Sequence, residues 1–192
     1  MTPRERLLAE LARRGVDPDI GTPDPPGLAD FTERTVNFAL HDWQRRHLCP
    51  LLERALHEKG LRVCIHAPPA YGKSIIVSQR FPAWLFGMDP DHKFALACYN
   101  ETRAGEFGDV CKNLMLSPAY RETFPQASVR ADAASGRFWT PQRKKAADGQ
   151  PSFQAMGLLS GFVGRHPDTL VMDDPYKSFD EAMSETVNES VW

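Results

Sequence analysis

The sequence has no run of about 18 consecutive apolar residues, the length a helix needs to cross a bilayer, and no charged-then-apolar leader opens it. A protein neither membrane-spanning nor secreted is therefore expected. Basic excess is missing as well: 23 Lys and Arg against 25 Asp and Glu leave a net charge of −2. A nucleic-acid partner would have to be met by a local patch or by a further part of the protein. Cys49, Cys64, Cys98 and Cys111 form no C-x-x-C pair, and Cys64 and Cys98 sit inside apolar runs. Reduced thiols of a cytosolic protein are expected, rather than disulfides or zinc ligands. The six histidines include neither H-x-x-x-H nor H-E-x-x-H, so the usual helical zinc spacing is absent. Internal repeats and low-complexity tracts are absent too.

What is present suits a globular domain. The 192 residues are 42% apolar and 25% charged, enough to build one real core. Thr2-Pro3-Arg4-Glu5 has the form of a capping box with proline at the first helical position. Leu7, Leu8 and Leu11 then make one apolar stripe, and Gly15 ends it. The stretch VDPDIGTPDPPG, residues 16–27, reads as an extended linker. Two parts follow: residues 1–27 as helix and linker, and 28–192 as the main domain.

From residue 28 onward the pattern alternates. Residues 40–60 predict a helix with a bend at Pro50, and 61–66 (LRVCIH) a short buried strand. A helix over 73–87 reaches or passes Pro82. A second buried strand is expected over 93–99 and a helix over 101–116, with Asn100 and Glu101 as its cap. Residues 152–157 read as a weaker strand and 168–174 as a strong one. Apolar strands alternating with helices mean an α/β fold with a mostly parallel sheet and crossover helices.

The stretch HAPPAYGKS, residues 66–74, resembles the phosphate-loop pattern G-x-x-x-x-G-K-[ST], with Ala67 in place of the first glycine. Two readings stand beside each other: a chance tripeptide on a strand–turn–helix, or a phosphate cradle. The strand expected before it and the helix after it favour the cradle. Gly72 permits backbone angles that bring amides close to phosphate. Lys73 would stand between the β- and γ-phosphates, and Ser74 would offer its hydroxyl to Mg²⁺. Pro68 and Pro69 stiffen the path through Ala70 and Tyr71. The candidate ATP-binding loop thus runs from Pro68 to Ser74.

A second constellation, TLVMDDP over 169–175, ends an apolar strand in two carboxylates. Asp173 suits the metal's coordination shell, and Asp174 suits the base that orients or deprotonates an attacking water. The plainer alternative is a surface turn capping a helix near Pro175. The upstream GKS favours the first reading, with strand 93–99 expected between the two motifs in the sheet.

Three segments together resemble the large terminase subunit of tailed bacteriophages: APPAYGKS, the run FPAWLFGMDPDHKFALACYNETRAGEFGDVCKNLMLSPAYRETFP, and GFVGRHPDTLVMDDPYKSFDEAMSETVNESVW. The resemblance covers about residues 28–192, and the order of the segments carries it. It implies a RecA-like P-loop (ASCE) ATPase domain, normally followed by an RNase H-like nuclease domain. It also implies ATP and Mg²⁺ as cofactors, and packaging of double-stranded DNA into a procapsid in the bacterial host cytoplasm. The implied partners are DNA, the portal ring, the small terminase subunit and further copies in a ring. Gln44 would read the adenine edge, as in helicases; a solvated helix face with Arg45 and Arg46 is the alternative. Arg165, nine positions before Asp174, would be the arginine that reaches a neighbour's γ-phosphate; pairing with Asp168 is its structural alternative, and Arg137 is the next candidate. Glu101 and Glu181 stand behind Asp174 as acids.

The sequence departs from that family in three ways. Ala70-Tyr71 stand where a basic residue is frequent, so a contact to the phosphates is missing and weak hydrolysis is expected. The sheet is expected to continue past Trp192, and the family's nuclease domain with its acidic metal site is not expected among these residues. Trp43 reads as core rather than a stacking platform, and Arg143, Lys144 and Lys145 as a solvated cluster rather than a DNA contact. A helicase-like P-loop ATPase, or a remnant that binds nucleotide without turnover, remains the alternative to a terminase motor.

Overall fold

The computed structural model describes residues 25–127, 129, 135–141, 150–158, 164–186 and 189. The helix expected over the first turn of the sequence, most of the linker and the Arg143–Lys145 cluster lie outside those residues. The described chain is a mixed α/β fold: an open, mostly parallel four-stranded sheet flanked by helices. Among the described residues, no helix is long and apolar enough to cross a membrane.

Helix α1 spans Leu28–Thr35. A helical run follows as a π turn over Gln44–Leu48, α2 over Cys49–Glu53 and a 3₁₀ turn over Arg54–Leu56. A second composite joins a π turn over Ile75–Arg80 to α3 over Phe81–Met88. Both π turns stand just before a proline, Pro50 and Pro82. A helical proline has no N–H to give, and its ring collides with the carbonyl four residues back. The wider turn moves that carbonyl aside: Cys49 N–H bonds to Gln44 O, and Phe81 N–H to Ile76 O. The bend expected at Pro50 takes this form, and the second helix passes Pro82.

Strand β1 covers Phe94–Cys98, and α4 covers Glu101–Leu116, with the Asn100 side chain accepting from Arg103 N–H at 2.8 Å as its N-cap. Next come α5 (Pro118–Thr123), β2 (Phe138–Trp139), β3 (Phe153–Gly157), β4 (Thr169–Met172) and α6 (Phe179–Met183). The strand order is β2–β3–β1–β4. Strand β1 runs parallel to both β3 and β4, and β2 is antiparallel to β3.

Aromatic side chains on one face of the sheet explain where α3 packs. Phe94 stacks on Phe153 at 5.7 Å, and Phe153 on Trp139 at 4.8 Å, giving a row across three adjacent strands. Phe81 meets Phe94 edge-on, and Phe86 meets Trp139, so α3 closes over that row from above. A second cluster joins Phe31, Tyr120 and Phe124 between α1 and α5. Trp43 packs against this core, as its apolar body suggests.

Two expectations need correction. Residues 61–66 are not a strand. They run without a ladder partner, with Val63 37% exposed and Cys64 at the surface. Alternating β-branched residues suit a strand, but pairing with a neighbour is what stabilises one. Both edges of β1 are taken, by β3 and β4, so β1 does not stand between residues 61–66 and the acidic strand. The second correction concerns β4, which is apolar but not covered on both sides. Leu170 and Met172, on one face by the strand's period of two, are 43% and 40% exposed.

Candidate functional site

The GKS loop owes its shape to two left-handed residues. Ala70 has φ 63° and Gly72 has φ 74°. A Cβ on Gly72 would meet only Gln44 Nε2, at 3.5 Å, an ordinary contact. The backbone angle, not crowding, calls for glycine there. Ala70 pays the steric penalty that glycine avoids, and strained non-glycine residues concentrate at binding and catalytic sites. The helical run opens directly after: Ile76 N–H bonds to Gly72 O at 3.0 Å. Lys73 and Ser74 are half-buried at this start. Among the described residues, the Lys73 ammonium has no hydrogen bond or ion pair.

The loop is fastened from behind by Gln44. This residue is buried; its Oε1 accepts from His41 N–H at 2.8 Å, and its Nε2 donates to Tyr71 O at 2.6 Å. Neither expectation for it holds: the side chain is not on a solvated face, and its amide is buried and engaged at both ends rather than turned out to an adenine edge, although Arg45 and Arg46 beside it are exposed. The Tyr71 ring stacks on His41 with centroids 5.3 Å apart.

The acid pair lies at the carboxyl end of β4, level with the end of β1: Asp173 N–H bonds to Ala97 O at 2.9 Å, and Tyr99 N–H to Asp174 O at 3.2 Å. Carboxyl ends of parallel strands are where open α/β sheets bind ligands. The two acids diverge. Asp173 is half-buried, and its Oδ2 accepts from Ser78 Oγ at 2.6 Å. Asp174 is exposed with φ 46°, a second strained non-glycine residue. Burial pushes the neighbouring Cys98 thiol up to about 12, and the charges of Asp173 and Asp174 add to the rise.

Ser78 is the residue that sequence reasoning missed. It lies one turn beyond Ser74, on the helical run that the GKS opens, and it is fully buried. Its bond joins the two motifs across ninety-five residues of sequence. A serine four residues past the loop serine is a common helix residue, and nothing local in the sequence marks its bond to Asp173.

The remaining candidates sit elsewhere. Arg165 donates from Nη1 to Gln154 Oε1 at 2.9 Å and stands 4.9 Å over the Phe138 ring. It does not bond Asp168, whose Oδ2 accepts from Lys93 N–H at 2.9 Å. Arg137 approaches the same ring and pairs with Glu101 at 2.7 Å. Glu181 accepts from Lys177 N–H at 2.8 Å, and its own N–H bonds to Ser178 Oγ, which makes it a cap of α6. Among the described residues, no group of three or more His, Cys, Asp or Glu side chains converges on one point. Ser74, and Asp173 bonded to Ser78 on the helical run that follows the loop, offer oxygen donors on this side of the molecule. That set suits Mg²⁺, which takes one or two carboxylates and completes its shell with water and phosphate oxygens. Comparison with protein-family models, curated proteins and solved structures found no match to this chain.

Proposed function

We propose that residues 28–192 belong to the RecA-like P-loop ATPase domain of a phage terminase large subunit, which couples ATP hydrolysis to packaging of double-stranded DNA. One observation carries the nucleotide part of this reading: the Ser78–Asp173 bond joins the GKS helix to the acidic strand end. The terminase part rests on the ordered sequence segments that resemble that family.

In this reading the amides of residues 70–74 and the Lys73 ammonium hold the β- and γ-phosphates. Ser74 and Asp173 would hold Mg²⁺, whose bound charge offsets that of the phosphates. Asp174, exposed at the strand end, orients the attacking water and takes its proton. Gln44 holds the loop from behind through the Tyr71 carbonyl.

Titration of the chain with Mg-ATP tests the reading. Lys73→Ala should weaken binding more than tenfold, about 1.4 kcal/mol or more. Equal affinity would reduce the GKS to a turn. Turnover stimulated by portal-bearing procapsids is expected of a packaging motor; stimulation by single-stranded nucleic acid alone would favour a helicase-like enzyme instead.

A further inference from the structure

We infer that the stacked pair His41–Tyr71 is the platform on which the nucleobase of the bound nucleotide rests. The inference depends on the phosphate-loop reading above and adds to it the part of the ligand that the loop itself does not touch.

Tyr71 stands immediately before Gly72-Lys73-Ser74. It is bracketed by the two left-handed residues Ala70 and Gly72. Tyr71 is 45% exposed although its side chain is large and mostly apolar. An exposed aromatic is ordinary on its own, but this one is fixed from two directions. Its carbonyl accepts from the buried Gln44 amide at 2.6 Å, so the peptide that carries it is held. Its ring lies on His41 with 27° between the planes, and His41 in turn gives its backbone N–H to the same Gln44. One buried glutamine thus sets both members of the stack.

A ring held in this way keeps little freedom to lose when a flat ligand settles on it, which favours binding. Aromatic faces take nucleobases by stacking, with little regard for which base it is. A nucleotide whose phosphates lie on the amides of 70–74 has its base within reach of the loop's own side chains. Gln44 then acts as a positioning residue, since its amide is engaged with His41 and Tyr71. The pair takes a flat base by its face, with little discrimination among bases.

The test compares Mg-ATP with Mg-tripolyphosphate, which has the phosphates and no base, by calorimetric titration of the full chain. The parent should bind Mg-ATP more tightly than Mg-tripolyphosphate. Tyr71→Ala should weaken Mg-ATP by about tenfold and leave tripolyphosphate unchanged, while Tyr71→Phe should retain parent affinity for both. His41→Ala should repeat the Tyr71→Ala pattern in weaker form. Equal binding of the two ligands by the parent would overturn the platform and leave the phosphate loop standing. Equal loss of both ligands in Tyr71→Ala would also overturn it, because Tyr71 would then be shaping the loop. A parent that binds neither ligand would remove the phosphate-loop reading and the platform with it.

Discussion

Ser78 Oγ donates to Asp173 Oδ2 at 2.6 Å, from a fully buried serine to a half-buried carboxylate. A hydrogen bond to a charged group in such a place contributes about 1.5–3 kcal/mol. Ser78→Ala should lower unfolding free energy by that order, as measured in urea. Because it also frees the carboxylate, ATP binding should need a higher Mg²⁺ concentration. An unchanged urea midpoint together with an unchanged Mg²⁺ requirement would show that the bond does nothing for either.

The divergence of the two acids separates their roles. Asp174→Asn should leave Mg-ATP affinity within about twofold of the parent and abolish turnover, since the base is gone and the phosphate contacts are not. Asp173→Asn should weaken binding and Mg²⁺ dependence together, and should lower stability through its bond to Ser78. Single-turnover hydrolysis and calorimetry separate the two. Parent-rate hydrolysis by Asp174→Asn would remove it as base; Glu101 and Glu181, tied up with Arg137 and the α6 cap, are then the acids to substitute next.

Much of this arrangement is readable from local chemistry. Asn100 before an apolar helical pattern marks α4 to the residue, because a side-chain cap is a local event. The apolar run 94–98, bounded by a turn and a cap, marks β1 equally well. Residues 61–66 are also rich in apolar and β-branched residues and yet form no ladder. Strand formation depends on a neighbour, and which edges are open is decided by the whole sheet. The exposure of Leu170 and Met172 has the same origin. Within the site, Lys73, Asp173 and Asp174 are legible as motifs. Ser78 and the His41–Tyr71 stack are not, because each depends on a contact between distant segments.

Gly87 offers a test of packing against propensity. Glycine to alanine inside a helix ordinarily stabilises by up to about 1 kcal/mol. Here a Cβ would fall 2.5 Å from Phe124 Cγ. That ring is fully buried and has Phe31 at 5.5 Å and Tyr120 at 5.2 Å, so it has nowhere to retreat. Gly87→Ala should therefore destabilise, by about 1–3 kcal/mol. A rise in melting temperature would mean that the contact between α3 and Phe124 is looser than described.

Glu53 makes stability depend on pH. Burial raises its carboxyl above the usual range, partly opposed by the hydrogen bond it accepts from Leu28 N–H. A raised folded-state value means the native protein holds this proton more tightly than the unfolded chain. The associated stability is fully present below the unfolded value and is lost as pH rises through the folded one. Glu53→Gln keeps an oxygen for Leu28 and carries no charge. It should exceed the parent in melting temperature at about pH 7, and the gap should close at about pH 4. A gap that stays constant across that range would assign the effect to something other than ionisation.

Arg165 has two possible employments, and its contacts choose between them. Its guanidinium is tied to Gln154 on β3 and lies over Phe138 on β2. By strand order β3 is separated from β4 by β1, so these anchors hold the arginine away from its own chain's acid pair. An arginine offered to a neighbouring copy must also leave its anchors to reach a phosphate. Leaving would strip the fully buried Gln154 Oε1 of its donor, a loss of about 1–3 kcal/mol. Arg165→Ala should accordingly lower stability by that order in thermal or urea unfolding. Mixing Arg165→Ala with Asp174→Asn should restore no ATPase activity, because neither chain lends the missing group to the other. An Arg165→Ala protein that melts with the parent, and that regains turnover on mixing, would show that this side chain works across a subunit boundary and that its bond to Gln154 is incidental.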